Sequence, residues 1–143
     1  MCISSVKKTP FIFAVSGYKN SGKTTMITRL IPELRKRGYK VAVIKHDGHD
    51  FESDVPGTDS YCHRKAGAYG TAVFSGKRFM ITKECENVDE KQLAKAFPEA
   101  DIILIEGLKS SNYPKYICSY PLMELKDEKA LADEIEQKMK NMR

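Results

Sequence analysis

The stretch of this sequence that decides its fold is Gly17-Tyr18-Lys19-Asn20-Ser21-Gly22-Lys23-Thr24. It satisfies the pattern G-x-x-x-x-G-K-S/T at every fixed position, and backbone N–H groups cradle phosphates in turns of this kind. The apolar run 11–15 precedes it and is typical of a strand buried on both faces of a parallel sheet. Apolar residues at helical spacing follow it. The sequence therefore predicts a strand, a phosphate-binding turn and a helix, in that order.

The residue types in this turn, which we call the phosphate loop (residues 17–24), suit the chemistry of a triphosphate. Gly17 and Gly22 allow unusual backbone angles and a close approach of the anion. Lys23 brings an ammonium group to the outer phosphates, and Thr24 offers a hydroxyl to Mg²⁺. The first helical turn adds unpaired N–H groups. The predicted nucleotide-binding residues are Gly17, Tyr18, Lys19, Asn20, Ser21, Gly22, Lys23, Thr24 and Thr25, and Lys23 is also a predicted catalytic residue.

Such sites place an acid near the metal, usually after a hydrophobic strand. The run 102–105 ends at Glu106, and ligands of open α/β sheets bind at the carboxyl ends of the strands. Glu106 is therefore a predicted metal-binding and catalytic residue, whereas Asp101 begins the same strand and is expected at the opposite edge. Asp54 is a further candidate, either for Mg²⁺ and its water ligands or for ordering its own loop.

A long loop without periodicity, residues 46–58, follows the second apolar strand. Long ordered loops in small domains are usually functional. His46, His49, Cys62 and His63 could supply zinc ligands by residue type, but their spacing matches no standard zinc pattern. The sequence favours polar loop residues near a nucleotide over a zinc site.

Strands alternate with helices along the chain, which predicts an α/β fold of the three-layer P-loop NTPase type with a mostly parallel sheet. Gly76-Lys77 predicts a two-residue turn between strands at 71–74 and 79–82, so a β-hairpin is added to this fold. A helix is predicted at 89–97, ended before Pro98, and an amphipathic helix is predicted at 126–142. The length of 143 residues and the lack of a convincing linker predict one P-loop nucleotide-binding domain over 1–143.

The net charge of +5 is concentrated near the phosphate loop, because residues 1–50 carry ten Lys/Arg against three Asp/Glu. The densest cluster, Arg35-Lys36-Arg37, complements a helix dipole, and no basic run is interleaved with aromatic residues, so nucleic acid is not a predicted partner. No apolar run approaches the roughly 20 residues of a membrane span, and the first residues lack a signal-peptide pattern, so a cytoplasmic location is expected. Four cysteines without a C-x-x-C pair argue against a zinc ribbon and a disulfide scaffold and are expected to be reduced thiols.

Several segments of the sequence together resemble the MobB family, molybdopterin-guanine dinucleotide biosynthesis protein B. In chain order, as in that family, they are Gly17 to Thr25, Lys45-His46 with His49, Phe51 and Asp54, Pro56-Gly57, Asp59-Ser60, His63 to Ala68, Glu106-Gly107-Leu108-Lys109 and Pro114-Lys115. The resemblance implies a GTP-binding, Mg²⁺-dependent accessory protein with weak GTPase activity that forms a homodimer. It further implies a MobA-like guanylyltransferase as partner, acting on molybdopterin to give its guanine dinucleotide form. Guanine specificity follows from the resemblance alone, since the N-K-x-D element of many GTPases is absent.

The alternative function is a small-molecule P-loop kinase. Asp47, Asp50 or Asp54 would then orient an acceptor hydroxyl, and Arg64 or Arg78 would bind the transferred charge. Against it, the chain has no clear arginine-rich lid segment and little length for an acceptor pocket. A third hypothesis is a nucleic-acid-binding module. Only the excess of Lys and Arg over Asp and Glu in residues 1–50 supports it.

Overall fold

A computed structural model describes residues 9–49 and 51–142 of the chain. Cys2, one of the four cysteines, and Asp50, a candidate of the kinase alternative, lie outside the described residues. The chain divides into two compact units, the first formed by Met1–His46 with Asp89–Arg143 and the second by Asp47–Val88. The single domain inferred from the sequence stays a prediction.

In chain order the elements are β1 Phe11–Gly17, α1 Lys23–Lys36, β2 Val41–Lys45, α2 Asp59–Lys65, β3 Gly70–Phe74, β4 Phe79–Lys83, α3 Glu90–Ala94, β5 Ile102–Glu106, β6 Lys115–Cys118 and α4 Glu128–Asn141. The first unit contains a four-stranded sheet in the order β2-β5-β1-β6, and all of its strand pairs are parallel. Because the strands are parallel, their carboxyl ends meet at one edge. The phosphate loop and Glu106 both leave the sheet at that edge.

The two faces of the central strands β1 and β5 are both buried, as the continuous apolar runs predicted. Phe13 and Leu104 pack with α1 and α4 in the larger core cluster. Ala14 and Ile103 belong to a second cluster on the opposite face, against which Ala94 of α3 packs. Helices therefore cover both faces of a parallel sheet, and the predicted three-layer α/β fold is confirmed.

Side-chain caps fix the starts of two helices, α3 and α4. Asp127 caps α4 by accepting hydrogen bonds from two amides of its first turn. Asp89 and Gln92 form a capping box at the start of α3. The helix predicted over 89–97 is shorter than expected, since the amides of Ala96 and Phe97 bond three residues back and tighten the chain after Ala94.

The second unit contains α2 and an antiparallel hairpin of β3 and β4. Phe74 pairs with Phe79, and the Ser75 amide donates a 2.8 Å hydrogen bond to the Arg78 carbonyl. Gly76-Lys77 is therefore the two-residue turn that the sequence predicted. The hairpin is a sheet of its own, separate from the parallel sheet.

Within residues 9–49 and 51–142, no helix has the length and apolar character that crossing a membrane requires.

Candidate phosphate and metal site

The backbone of the phosphate loop requires glycine at two positions. Gly17 has a φ of 149°, and a Cβ there would overlap Ser21 Oγ and lie 2.6 Å from the Cys118 carbonyl oxygen. Gly22 has a φ of 97°, and a Cβ there would lie 2.9 Å from Leu125 Cδ2. The glycines thus allow a close approach of the protein's own chain behind the loop, in addition to the approach of an anion predicted from the sequence.

The loop ends at a helix terminus that is open to an anion. Gly22 is the N-cap of α1 and contributes no side-chain cap, and the first turn of α1 has no acidic residue. The first amides of a helix have no partner within it, so those of Lys23, Thr24 and Thr25 carry the positive end of the helix dipole. Among the described residues, Ser21 Oγ is a buried hydroxyl without a hydrogen-bond partner. Both features fit a polyphosphate ligand.

Lys23 lies across the phosphate loop, where its Nζ donates a 3.1 Å hydrogen bond to the Gly17 carbonyl. Lys23 is also close enough to Cys118, at the end of β6, for its positive charge to act on the Cys118 thiol. Burial raises the pKa of the Cys118 thiol to about 11, and the positive charge of Lys23 acts in the opposite direction. The ammonium group is therefore held at the loop by one neutral carbonyl, a bond that it can exchange for phosphate oxygens.

The predicted metal residues Thr24 and Glu106 are brought into direct contact. Thr24 Oγ1 donates a 2.5 Å hydrogen bond to Glu106 Oε1. Lys45 Nζ lies 3.4 Å from Glu106 Oε2, and the Glu106 side chain is only 9% exposed. A hydroxyl and a nearly buried carboxylate at the edge of the phosphate loop are oxygen ligands of the kind that Mg²⁺ takes. These residues fit the metal and the triphosphate that the loop sequence predicts.

Lys45 was not among the predicted site residues. It ends β2 and lies in register beside Glu106 at the end of β5. Which residues of two strands lie side by side depends on the strand order, which the sequence does not give. The proximity of Lys45 to Glu106 could therefore not be predicted. The available signal was its position as a lysine directly after an apolar run.

The turn that follows Glu106 is fixed from several sides. Gly107 donates from its amide to the Val15 carbonyl at 3.0 Å, and Ser16 Oγ donates to the Gly107 carbonyl at 2.6 Å. Leu108 adopts a φ of 53°, which is unfavourable for a leucine and requires support from its surroundings. These bonds tie the turn to the end of β1, directly before the phosphate loop.

A single lysine supports the same turn from the other side. Lys115 Nζ donates to the carbonyls of Lys109, at 2.8 Å, and Ser111, and it lies 3.5 Å from the Leu108 carbonyl. Farther out, Lys109 Nζ lies 3.9 Å from the centroid of the exposed Tyr18 ring in the phosphate loop. The loop after β5 is thus attached to β6 and stacked on the phosphate loop. The role of Lys115 was not predicted, and the available signal was its short spacing to residues 108–111.

Asp54, the third predicted metal residue, lies in the second unit. Its buried carboxylate accepts a 2.8 Å hydrogen bond from Arg64 Nε and one of 3.2 Å from Ser60 Oγ. Arg64 also pairs with Glu84 at 3.2 Å and with Glu52. The structure supports the second role considered for Asp54, ordering its own loop, and its role toward Mg²⁺ stays a prediction.

The histidines considered for zinc are exposed side chains. His46 belongs to the first unit, and His49, Cys62 and His63 belong to the second. Across the described part of the chain, no group of three or more His, Cys, Asp or Glu side chains is arranged to hold a metal ion.

A parallel sheet in the order β2-β5-β1-β6, with a glycine-rich loop between β1 and α1, defines a P-loop NTPase-type protein. The family model described as "Molybdopterin guanine dinucleotide synthesis protein B" (MobB) matches residues 12–136, and the chain belongs to this family. The resemblance inferred from the sequence is therefore confirmed.

Individual relatives agree with this family. The "Molybdopterin-guanine dinucleotide biosynthesis adapter protein" of Escherichia coli (strain K12) is 39% identical over 111 residues, which are 74% of this chain and 63% of that protein. The protein of the same name from Haemophilus influenzae is 36% identical over 129 residues, 85% of this chain and 72% of that protein. The crystal structure of Bacillus subtilis MobB superposes with a TM-score of 0.63 at 32% identity, covering 85% of this chain and 72% of that one. The match thus spans less than two thirds of the Escherichia coli protein.

Proposed function

We propose that this chain binds GTP with Mg²⁺ at the phosphate loop and acts as an adapter in the synthesis of molybdopterin guanine dinucleotide. The observation that carries the nucleotide part is the 2.5 Å hydrogen bond between Thr24 and Glu106, beside Lys23 and an uncapped helix terminus. The family and the relatives' names support the pathway, and a product that contains guanine nucleotide makes GTP the corresponding ligand.

Each residue of the site has a definite task in this proposal. Bound Mg²⁺ would neutralise charge on the outer phosphates, and Thr24 and Glu106 would hold it. Lys23 would release the Gly17 carbonyl and bind phosphate oxygens. Because Glu106 serves the metal, it is not available to take a proton from the attacking water, which supports slow hydrolysis. Lys45 balances the charge of Glu106 before the metal arrives.

The adapter role requires partners, and we propose a MobA-like guanylyltransferase together with molybdopterin or its guanine dinucleotide form. The word adapter in the relatives' names supports a protein partner.

A homodimer is supported by the hairpin of the second unit, where Phe74 is 83% and Phe79 74% exposed. Large apolar side chains exposed together favour association. We place this activity in the cytoplasm, consistent with the free thiols of Cys62, Cys85 and Cys118.

Calorimetric titration with GTP and ATP, each with and without Mg²⁺, tests the proposed function. We expect Mg²⁺-dependent binding of GTP that Lys23→Ala abolishes. Lys36→Ala, at the exposed far end of the same helix, is the matched control and is expected to bind normally. Exclusive binding of ATP would contradict the GTP assignment, and phosphoryl transfer to an added acceptor would favour the kinase alternative.

A further inference from the structure

The strand order fixes the direction in which a triphosphate crosses the phosphate loop. β5, which ends at Glu106, lies on one side of β1, and β6 lies on the other side. Neighbouring strands are about 4.8 Å apart, so the two sides are well separated. Glu106 and Thr24, if they hold a metal for the outer phosphates as proposed above, would draw the γ end of the nucleotide toward β5. The nucleoside end would then leave the loop on the β6 side.

The chain that follows β6 lies directly against the phosphate loop. We call residues 119–125 the β6–α4 segment. Its Tyr120 amide donates a 3.2 Å hydrogen bond to the Ser21 carbonyl, and Leu125 contacts Gly22. At its far end the Lys126 amide donates a 2.9 Å hydrogen bond to Tyr116 Oη on β6. The segment is thus fixed to the loop at one end and to β6 at the other.

Three large side chains of the β6–α4 segment are exposed. Tyr120 is 52%, Leu122 91% and Met123 69% exposed, whereas the neighbouring Leu125 packs against the core. The core therefore does not account for the three exposed side chains. An aromatic ring and flexible apolar side chains are suited to contact the face of a planar base, and such stacking depends little on which base is present.

We propose that Tyr120, Leu122 and Met123 form the seat for the base and ribose of the nucleoside triphosphate, a role that rests on the nucleotide binding proposed above. The phosphates would occupy the loop and the first turn of α1. The nucleoside would then lie over the β6–α4 segment, whose position the Tyr120–Ser21 hydrogen bond couples to the loop. The seat adds affinity for any purine nucleotide and does not itself distinguish guanine from adenine.

Titrations with Mg·GTP and with inorganic tripolyphosphate plus Mg²⁺ separate the two halves of the ligand. In the full chain, Tyr120→Ala and the double variant Leu122→Ala/Met123→Ala are expected to bind GTP about tenfold more weakly, the size of one lost stacking contact. Both should bind tripolyphosphate as the unaltered protein does. Leu93→Ala, at a 43% exposed leucine of α3, is the matched control and should change neither affinity.

Unchanged GTP affinity in both altered proteins would overturn the seat and leave the nucleotide site standing; a protein partner would then be the better occupant of these side chains. An equal loss of GTP and tripolyphosphate affinity would also overturn it, since the segment would then only support the loop. Failure of the unaltered protein to bind either ligand would refute the proposed function, and the seat with it.

Discussion

Thr24 Oγ1 lies 2.5 Å from Glu106 Oε1, so a hydrogen bond joins the first turn of α1 to the end of β5 across 82 positions of the chain. The hydroxyl donates to a carboxylate that is almost fully buried. Charge-assisted bonds of this kind are short and strong, and they fix both side chains before any ligand is present. The metal groups of the proposed site are therefore preorganised by the fold.

Removal of the Thr24 hydroxyl tests this contact. Thr24→Val keeps the shape of the side chain but leaves one oxygen of Glu106 without its donor, which is expected to lower the free energy of unfolding by about 1–3 kcal/mol. Thr24→Ser restores the donor and should recover most of that loss. Chemical denaturation of the three proteins measures the effect. Equal stabilities for all three would show that the hydrogen bond contributes nothing in solution.

Lys115 is expected to act on the proposed metal site through the turn that follows Glu106. Lys115→Met removes the donor to the carbonyls of Lys109 and Ser111, so the turn loses its attachment to β6. We expect Mg·GTP to bind several-fold more weakly, with a smaller effect on GTP alone. Titration with and without Mg²⁺ measures the difference. Lys95→Met, an exposed lysine at the end of α3, is the control, and an equal effect in both variants would contradict the supporting role of Lys115.

Arg37 attaches α4 to α1, because its guanidinium contacts Glu136 at 2.6 Å, Asp133 at 2.7 Å and Glu33 at 3.1 Å. Arg37→Met is expected to lower stability by about 1 kcal/mol, and Tm by about 2–4 °C. The control is Lys126→Met, which removes one exposed ion pair and a distant contact of the ammonium group with the Tyr116 ring, and it should change Tm little. Thermal unfolding at low salt measures both variants.

The pH dependence of the stabilisation that Arg37 gives by joining α4 to α1 follows from its pKa. The hydrogen bonds with Glu136 and Asp133 raise that pKa above its ordinary value, and burial opposes the rise. A raised pKa gives a stabilisation that is present below the unfolded value and is lost only as the pH rises through the folded one. The Arg37 contribution should therefore persist throughout the alkaline range in which the protein can be studied. It should fall with added salt, which screens ion pairs at the surface.

The cysteines should differ in reactivity. Burial raises the pKa of Cys118 to about 11, partly offset by the charge of Lys23, so its thiol stays protonated at pH 8 and is shielded from reagents. Cys62 and Cys85 are exposed. We expect iodoacetamide at pH 8 to modify Cys62 and Cys85 in the native protein, and Cys118 only after unfolding, as read by peptide mass spectrometry. Rapid native modification of Cys118 would contradict the packing of β6 against the phosphate loop.

The sequence was sufficient to predict the elements whose signals are local. The motif from Gly17 to Thr24 predicted the loop, and the apolar run before Glu106 placed that acid at the carboxyl edge of the sheet. Asp101 was correctly assigned to the opposite edge, where its carboxylate accepts a 2.7 Å hydrogen bond from the Lys40 amide. In each case the sequence pattern and the structural feature that it predicts lie within one short segment of the chain.

Contacts between distant segments could not be predicted. Arg37 belonged to a basic cluster assigned to the helix dipole, but its partner Glu136 is 99 positions away and is reached only because α4 packs on α1. Leu125 contacts Gly22 for the same reason, since the chain returns to the loop after β6. Such pairs depend on strand order and helix packing, which a single sequence does not encode locally.

The central claim, that the phosphate loop with Thr24 and Glu106 binds a triphosphate through Mg²⁺, is tested most directly by the Mg²⁺ dependence of GTP affinity in Glu106→Gln. Glutamine keeps the size of the side chain and removes its charge. We expect Mg²⁺ to strengthen GTP binding to the unaltered protein by about tenfold or more, which corresponds to about 1.4 kcal/mol. In Glu106→Gln we expect almost no strengthening, and in the control Glu99→Gln, at an exposed acid, the full effect. Equal Mg²⁺ dependence in Glu106→Gln and the unaltered protein would contradict the claim.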